Sequence, residues 1–167
     1  MSTLWFIVPV IVSILAIAFV IGCAVSRTLR NERIKEQIRE QITGLASNTL
    51  EMTPEEFFKM RNYSFGGRGK SQYSQQLNFA GVYILFNETK NLYYIGQGQA
   101  VLNRVNNHFT GKGNGDVYAD YKYGDMFTIK MIALDDSGFS SLNELERNAI
   151  MTYDSVSNGY NKTRGNR

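Results

Sequence analysis

Two tyrosines, an arginine, a histidine and a glutamate in this chain are of types and spacings that chemistry on a phosphate ester would use. Arg104 and His108 stand four residues apart in QAVLNRVNNHF and so share one stripe of a helix. His108 is the only histidine in the chain. An arginine clamps a phosphate bidentately, and a histidine beside it can assist proton transfer. In SSLNELERNAIMTY, Leu142, Glu146 and Ile150 form one column, flanked by Leu145 and Ala149. Glu146 therefore points along or beside a buried face, where a carboxylate needs a cation, a metal ion or a cleft edge. Tyr83 and Tyr94 lie in two short apolar runs, GVYILF and LYYIG, on either side of a polar turn. Such a set suits cleavage of a phosphodiester. Each part also has a plainer reading: a salt bridge at the core margin for Glu146, a helix cap for His108, hairpin packing for the tyrosines.

Those residues need elements to hold them. Residues 79–86 and 92–97 read as strands joined by NETKN, and MFTIKMIAL at 126–134 alternates as a third strand. Tyr83 and Tyr94 then come nearly opposite each other, while Tyr93 faces the other way and packs. The stretch around Arg104 reads as a helix with Val101, Val105 and Phe109 on one face, ending near Gly111, with a loop over 111–125. LDDSGF is a turn, and Ser141 and Glu144 have capping-box spacing at the start of the second helix. Upstream, TPEEFFKM opens a short helix with Thr53 as cap and Pro54 in its first position. The Gly-, Ser- and Gln-rich stretch 63–78 reads as a flexible linker or a loop lying on the domain. Before it, Ile34, Ile38 and Ile42 form a narrow apolar stripe on a charged helix with Gly44 as its stop. That helix suits a solvated stalk, or a weak homodimer contact through the three isoleucines.

The order GVY, YIG, Arg104, His108, ERNAI and NGYN resembles the GIY-YIG nuclease family over about 79–163, with valine in place of the isoleucine of GIY. The resemblance implies a small α+β fold, a mostly antiparallel sheet of three strands flanked by helices. It also implies divalent-metal-dependent cleavage of the DNA backbone. By that resemblance Glu146 holds a single Mg²⁺ or Mn²⁺, as a hard carboxylate oxygen can. Tyr83 acts as general base toward a water and Tyr94 orients the water or the phosphate. Arg104 stabilises developing charge, His108 assists proton transfer or phosphate binding, and Asn161 holds the site together. The homing members of the family carry a separate DNA-reading domain, for which the residues after Thr163 leave no room.

Charge and hydropathy bound the context. Residues 27–80 hold nine Lys/Arg against six Asp/Glu, whereas residues 81–167 hold nine of each. The second half is not a broadly basic nucleic-acid binder, so any footprint there is local. Residues 1–26 carry no charge, and Leu4 to Val25 would span about 33 Å as a helix, enough for a bilayer core. No basic residue precedes that run, while Arg27, Arg30 and Arg33 follow it. The positive-inside rule then places the N-terminus outside and the rest in the cytoplasm, with residues 4–25 in lipid. A lipobox-like VIGC offers a second reading, lipidation of Cys23 with the remainder facing outward. The single cysteine excludes an intramolecular disulfide and a multi-cysteine metal site. The expected organisation is an anchor at 1–26, a stalk and linker at 27–78 and a nuclease domain at 79–167. It would act on DNA entering the cell, such as phage or plasmid DNA. A mobile-element or repair nuclease with an incidental anchor, and a non-catalytic adaptor on the same fold, are the alternatives.

Overall fold

The computed structural model describes the backbone of residues 4–65 and 71–165, and the side chains of 17–65 and 73–165. It falls into two compact units, Met1–Ile38 and Arg39–Arg167. The first unit is the body of a long helix, α1 (Leu4–Asn48). Ile17, Phe19, Val20, Ile21 and Val25 of that unit are exposed. The expected span at 4–25 falls mostly on side chains outside the described residues. Among the described residues no helix is long and apolar enough to cross a membrane.

The second unit begins at Arg39, well before the start expected from the strand pattern. Gly44 does not stop α1, which continues to Asn48 because nothing crowds that position and the helix has a surface to dock on. Ile42 and Ala46 are buried there, and Gln41 Nε2 donates to Ser137 O at 2.9 Å. That corrects the dimer reading. Ile34 is exposed, but Ile42 belongs to this chain's own core and is not available to a second copy. Met52 then exchanges two backbone hydrogen bonds with Ile129, covering an otherwise open sheet edge. Helix α2 (Pro54–Arg61) starts with a full capping box between Thr53 and Glu56. The expected linker is partly ordered into β1 (Ser64–Phe65), β2 (Ser71–Gln72) and α3 (Tyr73–Gln76), with 66–70 outside the described residues.

Tyr83 and Tyr94 sit on a three-stranded antiparallel sheet, the sheet that was expected. Its strands β3 (Gly81–Asn87), β4 (Leu92–Gly98) and β5 (Phe127–Ala133) are arranged β4-β3-β5. The β3–β4 turn is closed by Asn87 Oδ1, which accepts from Lys90 N–H, and by Asn91 at φ 56°, a conformation asparagine tolerates. One sheet face carries Tyr83, Leu85 and Ile129 into a core with Val101, Val105 and Phe109 of α4 (Val101–Phe109). The other face carries Val82, Ile84, Ile95 and Ile132 against α6 (Leu142–Thr152). Ser141 caps α6, but Glu144 accepts from Ser140 N–H, one residue earlier than a capping box requires. The stretch read as a loop contains a further helix, α5 (Gly115–Lys122), capped by Asn114 Oδ1 on the amides of Asp116 and Val117.

Candidate active site

Strand register sets the first contacts. Tyr83 pairs with Gly96 and Tyr94 with Leu85, so the two tyrosines share a face on a diagonal, with ring centroids 6.2 Å apart. Tyr93 lies on the opposite face, stacked on Phe86 at 4.4 Å. His108, from the last turn of α4, packs against both site tyrosines, at 5.3 Å from the Tyr83 ring and 4.8 Å from that of Tyr94. Its Nε2 lies 2.8 Å from the Tyr83 hydroxyl, and its Nδ1 accepts from Asn114 N–H at 2.9 Å.

Two glycines make this packing possible. A Cβ on Gly96 would lie 2.5 Å from Tyr83 Cζ and closer still to the hydroxyl oxygen, so the phenol ring occupies the space of the missing side chain. A Cβ on Gly113 would lie 2.5 Å from His108 Nδ1, which is why the 110–114 loop can bring its amide onto the imidazole. Both are close approaches of backbone to side chain that only glycine permits.

The tyrosines differ in access. Tyr83 has no exposed surface, whereas Tyr94 is half-buried and lines a pocket with Asn114, Glu146, Asn161, Lys162 and Thr163. Tyr83 is thus sealed from solvent in this structure, while Tyr94 has a face on the pocket. Burial pushes the Tyr83 phenol well above its ordinary pKa, neighbouring Tyr94 adds to the rise, and Arg104 pulls it down by charge and hydrogen bonding. The Tyr94 pKa is also raised, mainly by burial. Arg104 and a hydrogen bond with Tyr83 act in the opposite direction. His108 is lowered to about 4 by burial and by the charge of Arg104, so it is neutral at physiological pH. Arg104 itself is exposed, with its stem against Gly98 and its charge bearing on all three rings.

Glu146 and Asn161 come to the pocket from the other side of β4. Glu146 is buried at the edge of α6, where its Oε2 accepts from Gln97 Nε2 at 2.9 Å. Gln97 also donates to Asn143 Oδ1, so a strand side chain fixes the carboxylate against its own helix. Asn161 uses its amide as a substitute strand: Oδ1 accepts from Ile95 N–H and Nδ2 donates to Ile95 O, both at 2.8 Å. The neighbouring Tyr160 is tied down from three directions. Its N–H donates to Tyr93 O, its hydroxyl donates to Asp120, and Asn87 Nδ2 donates to that hydroxyl. The six expected residues thus gather around one edge strand, three of them in mutual ring contact. Gln97, Asn114, Tyr160 and Asn87 were not singled out in the sequence. Only Asn114 carried a signal, an asparagine directly before Gly-Asp where a helix could start.

The pocket can receive a hard cation. Among the described residues no group of three or more His, Cys, Asp or Glu side chains could hold a metal. Glu146 is the one carboxylate among the described pocket-lining residues, and a single carboxylate completed by waters and phosphate oxygens suits Mg²⁺ or Mn²⁺. The residues present fit a divalent ion held in that way.

Comparison with known proteins bears on the same segment. A family model, the GIY-YIG catalytic domain, matches residues 79–161. No curated protein and no solved structure matches the chain.

Proposed function

We propose that the GIY-YIG catalytic domain at residues 79–161 makes this chain a DNA endonuclease, cleaving the phosphodiester backbone in the pocket beside β4. The observation that carries the reading is the meeting of Tyr94, Glu146 and Asn161 at one open pocket, with the charge of Arg104 bearing on the tyrosines.

The side chains divide the work by position. Arg104, exposed and always cationic, takes a non-bridging phosphate oxygen and offsets the charge that grows on the phosphorane. The water oxygen bonds to phosphorus as an ionised tyrosine oxygen at the pocket takes its proton, and the leaving oxygen departs with the electrons of the broken P–O bond and takes a proton from solvent. Glu146 would hold the divalent ion, which when bound supplies positive charge beside the phosphate and the leaving oxygen. Gln97 keeps that carboxylate in place, and Asn161 keeps the β4 edge closed to strand pairing. The balanced charge of residues 81–167 implies weak intrinsic affinity for DNA, so local concentration matters.

The exposed apolar face of α1 from Ile17 to Val25 supports a tether at a bilayer, with the domain on the cytoplasmic side. Tethering would raise the encounter rate with DNA crossing the envelope. The enzyme reading is tested with the full-length protein, supercoiled plasmid and Mn²⁺. Nicking by wild type that disappears in Glu146→Ala and after chelation is expected, and equal nicking by both proteins would sink it. The tether is tested by expressing the chain with and without residues 1–26. Equal membrane fractionation and equal protection against phage by the two forms would remove it.

A further inference from the structure

The segment after the NGYN turn folds back over the pocket. Gly159 lies so close to the edge of β4 that a Cβ there would strike Tyr93 O, and Tyr160 N–H donates to the same carbonyl. Asn161 then fastens both of its amide atoms to Ile95. From that clamp residues 162–165 run along the pocket and return to α6. At Gly165 a Cβ would stand 3.2 Å from Glu146 Oε2 and 3.4 Å from Ile150 Cδ1, and its φ of 87° favours glycine. The segment is thus anchored at its start and rests against the helix of Glu146 at its end, with Lys162 next to the anchor.

Lys162 is the one cation among the described residues that line the pocket, as Glu146 is the one carboxylate, and Arg104 is not among them. The Lys162 ammonium pairs with Asp116 Oδ2 at 3.7 Å, and the two side chains are 83% and 64% exposed. A pair of that length and exposure is weak. A DNA phosphate offers the ammonium a full charge and releases condensed counterions on binding, which an exposed aspartate does not. Residues 81–167 hold as many acids as cations, so a footprint for DNA there must come from local placement, and this lysine is placed at the pocket.

We propose that Lys162 is a phosphate-binding residue at the mouth of the pocket, and that it leaves Asp116 to hold a DNA backbone phosphate beside the scissile one. The assignment rests on the nuclease reading above. Lys162 acts by charge, exchanges no proton in the reaction and serves binding of the uncleaved strand. Asn161 is a positioning residue for it, by its clamp on Ile95.

Two measurements on the full-length protein test this, each made below the unfolding transition of the variants. The first is the affinity for a fluorescein-labelled duplex of about 20 base pairs in EDTA, followed by anisotropy over about 50 to 200 mM salt. Lys162→Ala is expected to reduce the slope of log affinity against log salt by about 0.9. Its affinity at about 0.1 M salt should fall by about 5- to 10-fold, the loss of one phosphate contact. Lys162→Arg keeps the charge and should keep the slope. Lys130→Ala removes an equal charge at the other edge of the sheet, where Lys130 pairs with Glu51, and should also keep the slope. Asp116→Asn removes the competing carboxylate and should bind about two- to fivefold tighter. The second measurement is plasmid nicking in Mn²⁺, in which Lys162→Ala should raise KM and leave kcat within about threefold. An unchanged slope in Lys162→Ala, an equal fall in Lys130→Ala or Lys162→Arg, an Asp116→Asn that binds no tighter, or a loss confined to kcat would each overturn the assignment while wild type still binds and nicks. A wild type that neither binds the duplex nor nicks plasmid overturns the nuclease reading itself, and the role of Lys162 with it.

Discussion

Replacing Gly96 by alanine puts one methyl group where the Tyr83 phenol lies. The new Cβ would be 2.5 Å from Cζ and 2.9 Å from Cε2 of that ring, against an ordinary carbon–carbon separation of about 3.5–4.0 Å. The ring has no free direction to move, being fully buried with His108 on its hydroxyl. Overpacking of this kind costs about 1–3 kcal/mol, and losing the Tyr83–His108 hydrogen bond adds about 1 kcal/mol. The better backbone entropy of alanine returns up to about 1 kcal/mol. The net is about 1–4 kcal/mol, a fall in melting temperature of roughly 4–15 °C for a unit of this size. Thermal unfolding followed by circular dichroism measures it, with nicking assayed below the transition, where a displaced Tyr83 should slow cleavage. Gly44→Ala is the control: nothing lies within 4 Å of its Cβ and it lies inside α1, about one turn before the helix ends at Asn48, so it should gain up to about 0.5–1 kcal/mol. If Gly96→Ala melts within about 2 °C of wild type and cleaves normally, the Tyr83 ring does not cross Gly96 and the register argument is wrong.

Three further outcomes are expected. His108 has its pKa lowered to about 4 from 6.5, so the folded state resists its protonation. The stability it contributes is complete above pH 6.5 and is lost as pH falls from there to about 4, a loss on the order of 3 kcal/mol. Urea midpoints of wild type should fall over that window and those of His108→Gln should fall less; parallel curves would show that His108 is not held neutral. Tyr160→Phe removes the hydroxyl shared by Asn87 and Asp120 and leaves Asn87, fully buried, with one partner fewer. It should cost about 1–3 kcal/mol in urea unfolding and slow nicking through the adjacent Asn161, whereas an unchanged midpoint would mean the network is idle. Glu146→Gln preserves size and an acceptor for Gln97, so the fold should stay within about 1 kcal/mol of wild type while nicking falls by about 100-fold or more. Equal nicking in Mn²⁺ would remove Glu146 from the site.

Much of the arrangement follows from local pattern. The alternation in GVYILF and LYYIG put Tyr83 and Tyr94 on one sheet face and Tyr93 on the other, because successive strand residues point to opposite sides. The spacing of four brought Arg104 and His108 onto one stripe of α4, and that of Leu142, Glu146 and Ile150 put the carboxylate at the edge of α6. Other parts were out of reach of pattern. Helix α5 is hidden from pattern because glycines and short polar residues surround it, and its cap depends on Asn114 turning its side chain back on the chain. The isoleucine stripe looked like a surface for a second copy, but Ile42 packs into the domain that its own helix leads into.

By itself the sequence determined which side chains could face one another, since periodicity fixes direction within an element. Tertiary structure decided how deep each lies and which way its hydrogen bonds run. Tyr83 is sealed and Tyr94 open because β3 is the central strand and β4 the edge. The imidazole is a donor to Tyr83 because an amide six residues along the chain folds back onto its other nitrogen. Burial and hydrogen-bond direction depend on neighbours from other elements, and no spacing along one strand or helix encodes them.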